Sequence, residues 1–376
     1  MTTPEATPEA TMPLLHQPTD AEVAAVYRRH LNPEAGSPFW VERDRQLGRN
    51  AFRDVCDLAS ADTLFGFRDE ADQQGFEEAA RRRPVEDFVP RDHGTNRERL
   101  WVSQTGGTTG LPKHGTWGAD YWRFSLAFTD LFLDLHGVPR DQNWLFVGPM
   151  GPHTTGRLAI DIAERRGGAC FSIDLDPRIV KVFGEERMSQ AYDRYIEHIW
   201  SQVNAIVESQ NFGVLFCTSR LLEQLPSRTD VKRLRSRLRG IVHAGTTMPP
   251  ESHQLLREEI FPGIPIVGMY GTSTTGISYQ KPFEPEDDYR VAYIPTAPQL
   301  LLDVVAEDGT PKAFGEDGQV RVWRLSRDQL LPGFFERDRA TRVQPYGSAA
   351  ELFPWPWIGD PYSPEFTVLG HVEGVY

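Results

Sequence analysis

The densest run of chemistry-bearing residues is Val102-Ser103-Gln104-Thr105-Gly106-Gly107-Thr108-Thr109-Gly110-Leu111-Pro112-Lys113. Three glycines let backbone N–H groups turn inward toward an anion, the threonine hydroxyls add donors, and Lys113 supplies a point charge suited to polyphosphate. The spacing is not GxxxxGK[ST], because Leu111 and Pro112 separate Gly110 from Lys113, so the P-loop type of nucleotide site is disfavoured. A plainer reading is an ordinary polar loop after the strand Leu100-Trp101-Val102, since glycine and threonine gather in loops; the density of the string argues against it.

Other candidates follow along the chain. Phe146-Val147-Gly148-Pro149-Met150-Gly151-Pro152-His153-Thr154-Thr155-Gly156-Arg157 comes after an apolar strand. There His153 suits orienting a substrate oxygen and Arg157 suits pairing with an anion; the alternative is that both satisfy loop backbone. His243 ends a strand and faces either a pocket or the core. Neither a G-x-S-x-G elbow nor an HExxH pair occurs, which removes the serine hydrolase and zinc peptidase classes.

The elements that must position these groups read as an alternation. Leu145-Phe146-Val147, Gly213 to Phe216, Gly240-Ile241-Val242 and Ile264 to Tyr270 have the character of buried strands, and Met188 to Val207 that of a helix. This predicts an α/β architecture with largely parallel sheets across 15–295. Within it, ahead of the first sheet, lies a helical prelude, about Pro18 to Arg91, in which Thr19 and Glu22 have capping-box spacing ahead of Val23 to Tyr27. From 296 the texture turns to short strands, Leu300 to Val305, Gly318 to Trp323 and Phe366 to Leu369, so a small β-rich, barrel-like sub-domain is expected over 296–376. Within it only the stretch Glu336 to Thr341 has helix length. Residues 1–14, with a duplicated Thr-Pro-Glu-Ala, are expected to form a disordered tail.

The 376 residues carry 40 Lys plus Arg against 53 Asp plus Glu, a net charge of -13, which disfavours a nucleic-acid partner. The basic run Lys232 to Arg239 is expected to be a solvated helix face. Cys56, Cys170 and Cys217 are scattered and odd in number, fitting a reducing compartment. There is no signal-peptide pattern and no membrane-length apolar run, so a soluble cytoplasmic protein without membrane contact is expected.

In chain order, several segments resemble the acyl-adenylate-forming (AMP-binding) superfamily. Thr105 to Lys113 is similar to its glycine-rich signature loop, with His114 where the family usually has glycine. His243-Ala244-Gly245-Thr246-Thr247-Met248-Pro249-Pro250-Glu251 resembles its Gly-Gly-Ala turn, Met269-Tyr270-Gly271-Thr272-Ser273-Thr274 its Tyr-Gly-x-Thr-Glu motif, Phe314 to Val322 its Gly-Glu-x-Gly-Glu-Leu strand, Gly333 to Thr341 its Gly-Tyr…Thr segment, and Trp357-Ile358-Gly359-Asp360 its Thr-Gly-Asp motif.

The resemblance implies the large N-terminal domain of that family, two α/β sub-domains with largely parallel sheets plus a small β-barrel-like sub-domain, and ATP as its nucleotide. Thr105, Gly106, Gly107, Thr108, Thr109, Gly110 and Lys113 would lie around the phosphates, with Lys113, Thr108, Thr109 and His153 as catalytic groups. Gly245, Thr246, Thr247 and Tyr270, with Gly271, Thr272 and Ser273, would lie along the purine and acyl phosphate, and Asp360 on the ribose. His153, Arg157, His243, Gly271 and Gly276 would line the acid pocket. Mg2+ is implied too, but the family's metal-binding glutamate falls on Thr274, leaving the metal to phosphates and water or to a carboxylate such as Glu284. Gly370-His371-Val372-Glu373 resembles the family's hinge and Tyr376 ends the chain, so the lid domain with its lysine is expected to be absent.

The chain resembles, in general plan, phenylacetate-type CoA ligases and the stand-alone adenylation proteins of phenazine-antibiotic biosynthesis. They imply activation of an aromatic acid in secondary metabolism, with the adenylate passed to an acceptor nucleophile or partner protein. Two alternatives stay open: activation of a small oxyacid such as nitrite for transfer to an aryl amine, and a nucleotide-binding protein that has lost turnover.

Overall fold

A computed structural model describes residues 15–91, 100–105, 111–272 and 275–364. The expected tail, Gly106 to Gly110, Ser273, Thr274, the strand expected at Phe366 to Leu369 and the hinge-like Gly370 to Glu373 lie outside the described residues.

The chain opens with five helices, α1 (Asp20–Leu31), α2 (Pro38–Leu47), α3 (Ala51–Asp54), α4 (Leu58–Phe65) and α5 (Glu70–Arg82). Thr19 caps α1 as its spacing predicts: its hydroxyl accepts from the Glu22 amide while the Glu22 carboxylate accepts from the Thr19 amide at 2.8 Å. These helices bury Tyr27, Trp40, Phe65 and Phe76 against Leu302, Val322 and Leu330 of the later strands.

Two strands, β1 (Leu100–Gln104) and β2 (His114–Gly118), form a separate antiparallel pair. Then follow α6 (Ala119–Leu135), β3 (Trp144–Gly148), α7 (Thr154–Arg165), β4 (Cys170–Asp174), α8 (Pro177–Glu185), α9 (Ser189–Ser209), β5 (Val214–Thr218), α10 (Ser219–Arg228), α11 (Val231–Arg237), β6 (Gly240–Ala244), α12 (Pro250–Leu255) and β7 (Ile266–Thr272). Six strands follow, with short 3-10 turns at Pro285–Asp287 and Gly347–Ala349: β8 (Gly276–Gln280), β9 (Ala292–Ile294), β10 (Leu300–Val305), β11 (Asp317–Leu325), β12 (Leu330–Val343) and β13 (Trp357–Tyr362).

Eleven of these strands make one sheet in the order β10-β11-β12-β13-β9-β8-β7-β6-β5-β3-β4. From β4 to β7 the pairing is parallel, and from β7 to β10 it is antiparallel. Strands β3, β5 and β6 read as continuous apolar runs because both faces are covered. Phe146, Phe216 and Val242 pack beneath α6 and α7, while Leu145, Leu215 and Ile241, one residue earlier, pack against α9 and α10.

The parallel arrangement is confined to one end of a mixed sheet, and the strands from β10 onward extend that same sheet. Two expectations need adjusting. Residues 336–341 lie in β12, where pairing to β11 and β13 overrides the helix preference of a charged segment. Within the basic run, Arg235 donates to the Glu259 and Ile260 carbonyls and Arg237 to those of Val207 and Gln210. These arginines tie down chain ends as well as facing solvent. No helix among the described residues is long and apolar enough to cross a membrane.

Candidate active site

The site collects at the carboxyl ends of the parallel strands, where β3, β6 and β7 release the chain into loops and where open α/β sheets place ligands. Strand β1 ends at Gln104 and β2 begins at His114, so the segment between them links strand to strand and not strand to helix as in a P-loop. Its base is closed twice: the Thr105 amide donates to the Lys113 carbonyl, and the Lys113 amide to the Thr105 hydroxyl, both at 3.0 Å. His114 is the first residue of β2, with its ring against Gln104.

Helix α5 clamps the far end of this loop. Arg81 donates to the Leu111 carbonyl at 3.1 Å, and Lys113 Nζ lies 3.0 Å from Glu77 Oε1 and 5.5 Å from the Phe334 ring. Burial opposes the charge on Glu77, yet Lys113, Arg81 and Arg337 together hold its carboxyl below the usual range.

Strand β12 runs between the loop lysine and the β7 tyrosine. Gln319 pairs with Arg339 but Arg321 with Phe335, so β12 bulges through 336–338 and its carboxylates are re-aimed. Burial pushes Glu336 up to about 7 although Lys113 pulls the other way, with the charges of Asp338 and Glu77 adding to the rise. Asp338 accepts from the Tyr270 hydroxyl at 2.9 Å, and burial raises its carboxyl too. Tyr270 therefore stands fixed by its hydroxyl, with its ring 5.7 Å from that of Tyr293.

Beyond Tyr270 the chain turns sharply. A side chain on Gly271 (φ 153°) would place its Cβ 1.9 Å from the Gly276 carbonyl oxygen, so only glycine fits. The Thr272 and Thr275 hydroxyls lie 2.8 Å apart across the turn, and Gly276 sits opposite Thr272, beside the Tyr121 hydroxyl and Leu300.

The turn Gly245-Thr246-Thr247 leaves β6, and the Thr247 hydroxyl donates to the Pro361 carbonyl. Next to it, Asp360 (φ 43°) accepts the Val291 amide on Oδ1 at 3.0 Å and faces Arg290 with Oδ2 at 3.3 Å. The structure thus brings Lys113, Tyr270, Thr247 and Asp360 onto neighbouring elements from four distant parts of the sequence.

The remaining candidates take other places. His153 caps α7, buried, with Nε2 unpartnered among the described residues; burial and Arg178 keep its ring below the usual range. Its loop touches the glycine-loop hairpin through Gln104, whose amide donates to the Pro152 carbonyl at 2.8 Å. Arg157 lies over Trp101 and pairs with Asp161 at 3.2 Å. His243 is buried against Ser219. Glu284 is held by Lys281 at 2.8 Å and the Ser348 amide, which lower its carboxyl to about 2. Among the described residues no group of three or more ligating side chains gathers to hold a metal ion, so the residues described do not form a metal cage.

Sequence reasoning missed Glu77, Arg81, Glu336, Asp338 and Ser219. Glu336 and Asp338 lay inside a noted motif, but their strand bulge has no sequence signal; Glu77 is 36 residues from Lys113, with nothing to link them.

No protein-family profile matches the chain, and no curated protein sequence matches it either. Solved structures do. A 2-hydroxyisobutyryl-CoA ligase in an open conformation with 2-HIB-AMP and CoA superposes with a TM-score of 0.61 at 11% identity, over 92% of this chain and 72% of that one. The chain has the adenylate-forming ligase fold. The same ligase in its thioesterification state, with 2-HIB-AMP and CoA, gives 0.61 at 12% identity over 92% of this chain and 67% of that chain. In the postadenylation state with R3-HIB-AMP it again gives 0.61, with 65% of that chain covered. The described fold therefore corresponds to about two thirds of that ligase.

Proposed function

We propose that this chain binds ATP and joins it to a carboxylic acid, forming an acyl adenylate and releasing pyrophosphate. The single observation that carries this is the convergence of the loop lysine, the β7 tyrosine, the β6 turn and Asp360 at the carboxyl ends of parallel strands, in a fold shared with a ligase solved with an acyl adenylate.

In this reading the loop 105–113 takes the phosphates, with Gly106, Gly107, Thr108, Thr109 and Gly110 as donors beside Lys113. Gly245, Thr246, Thr247 and Tyr270 flank the purine, Gly271, Thr272 and Ser273 the acyl phosphate, and Asp360 the ribose. A carboxylate accepts only; with Oδ1 of Asp360 on the Val291 amide, Oδ2 is the oxygen offered to the ribose. The acid lies toward His153, His243, Gly271 and Gly276; Arg157 serves the outer end of that region. A carboxylate oxygen forms a bond to the α-phosphorus while the bond to the bridging oxygen breaks, and pyrophosphate leaves with that electron pair. Lys113 and the loop donors stabilise charge on the phosphate oxygens, and holding both reactants in one cleft supplies orientation. Magnesium would accompany ATP, held by its phosphates and water or by a carboxylate such as Glu284.

The favoured acid is planar and aromatic, the setting is secondary metabolism such as antibiotic biosynthesis, and the adenylate passes to an acceptor nucleophile or a partner protein. Pyrophosphate release on a panel of aryl and aliphatic acids, with nitrite as comparator, tests this. Release that depends on one acid class supports it. Release with nitrite alone selects the oxyacid reading, and nucleotide binding with no release under any substrate selects a protein without turnover.

A further inference from the structure

Beneath the β6 turn lies a buried polar pair to which the chemistry above gives no part in holding the nucleotide. His243 and Ser219 are each 1% exposed. The Ser219 hydroxyl donates to the Thr246 carbonyl at 2.7 Å and lies 2.9 Å from His243 Nδ1. A hydroxyl has one proton, so with that proton committed to Thr246 its lone pair must accept from Nδ1–H, which fixes the histidine tautomer. Nε2 is then a bare acceptor, and it is unpartnered among the described residues.

The position of Nε2 is set from the other side. His243 pairs in register with Gly268, Gly268 lies beside Gln280, and Gln280 pairs with Tyr293. A Cβ on Gly268 would lie 2.9 Å from Gln280 Oε1, 3.0 Å from the Tyr293 hydroxyl and 3.1 Å from His243 Nε2. Three side chains on three strands therefore crowd over one glycine and leave the imidazole no room to swing.

We infer that His243 and Ser219 are positioning residues for the nucleotide base: they brace the Thr246 carbonyl, and with the Thr247 bond to Pro361 they lock the purine-side turn to the ribose aspartate. Neither touches the nucleotide; they act through the backbone of 245–247. This rests on the nucleotide reading proposed above and adds that base selectivity is set from behind the turn. Loss of the hydroxyl frees Thr246 to rotate, so adenine should lose its advantage over guanine while the phosphate contacts, on a different loop, persist.

The test is equilibrium binding of ATP and GTP to the full chain, in wild type, Ser219→Ala and Ser219→Thr, with melting temperatures alongside. We expect Ser219→Ala to weaken ATP by about five- to tenfold, the scale of one hydrogen bond, with GTP little changed, and Ser219→Thr to restore the preference. Equal ATP binding and preference in wild type and Ser219→Ala overturns the inference and leaves the nucleotide reading standing. So does equal weakening of both nucleotides with a lowered melting temperature, which marks a purely structural role. A wild type that binds neither nucleotide removes the nucleotide reading and the inference with it. If Ser219→Ala does not fold, Thr247→Val, which cuts the link to Pro361, decides by the same comparison.

Discussion

Tyr270 and Asp338 are joined by a 2.9 Å hydrogen bond in which the phenol donates to the carboxylate. The bond fixes the ring of β7 from β12, so its hydroxyl and its face do different work. Tyr270→Phe should keep ATP affinity within about threefold while lowering stability by about 1 kcal/mol, the scale of one hydrogen bond. Tyr270→Ala should weaken ATP by tenfold or more, on the order of a lost stacking partner and its packing. Titration calorimetry and thermal melts on the pair separate the roles; equal losses in both variants contradict the ring's part in binding.

Asp360 holds the Val291 amide with one oxygen and leaves the other toward the exposed Arg290. If that oxygen receives the ribose, wild type should prefer ATP to 2′-deoxy-ATP, and Asp360→Asn should bind both alike at an affinity about tenfold lower, one charge-assisted hydrogen bond's worth. A preference that survives the substitution places the ribose elsewhere.

Glu336 gives a pH signature. Its folded-state carboxyl is raised to about 7, above the ordinary glutamate range, so the protonated form is favoured in the fold. Stability from this group is complete below the unfolded-state value and is lost as pH climbs through about 7, where a buried charge must form beside Asp338 and Glu77. Glu336→Gln should therefore match wild type near pH 4.5 and be more stable by about 1 to 3 kcal/mol at pH 8. Denaturant melts at several pH values check it; a stability difference that does not change with pH contradicts it.

Gly268 is the floor on which Gln280, Tyr293 and His243 converge. Gly268→Ala should cost about 1 to 3 kcal/mol by overpacking, with a lower melting temperature, although an isolated strand would gain from the change. An unchanged melting temperature would show that the three side chains yield freely.

Local features were legible because their causes are local. The Thr19 and Glu22 capping box reads directly from a three-residue spacing, and the apolar runs at 145–147, 213–216 and 240–242 read as strands because both faces of the parallel region are covered. The mixed α/β class followed from that alternation. The strand that leads into the glycine-threonine string was legible, but its pairing with β2 is set by tertiary contacts that leave no local signal. Residues 336–341 misled for a physical reason: Glu336, Arg337, Arg339 and Ala340 favour helix, and only pairing on both sides holds them in β12. Pairs such as Lys113 with Glu77, or Ser219 with Thr246, join separate elements across a folded surface and leave no periodic trace.

In the proposed function Lys113 and the segment before it grip the triphosphate of ATP. Lys113 sits 3.0 Å from Glu77, both mostly buried, so the carboxylate shields part of its charge. The most direct measurement is calorimetric titration of ATP and AMP into wild type, Lys113→Ala and Glu77→Gln. Lys113→Ala should weaken ATP by tenfold or more, in line with a lost charge-assisted hydrogen bond, and leave AMP nearly unchanged, while Glu77→Gln should tighten ATP. ATP affinity equal in wild type and Lys113→Ala would contradict it.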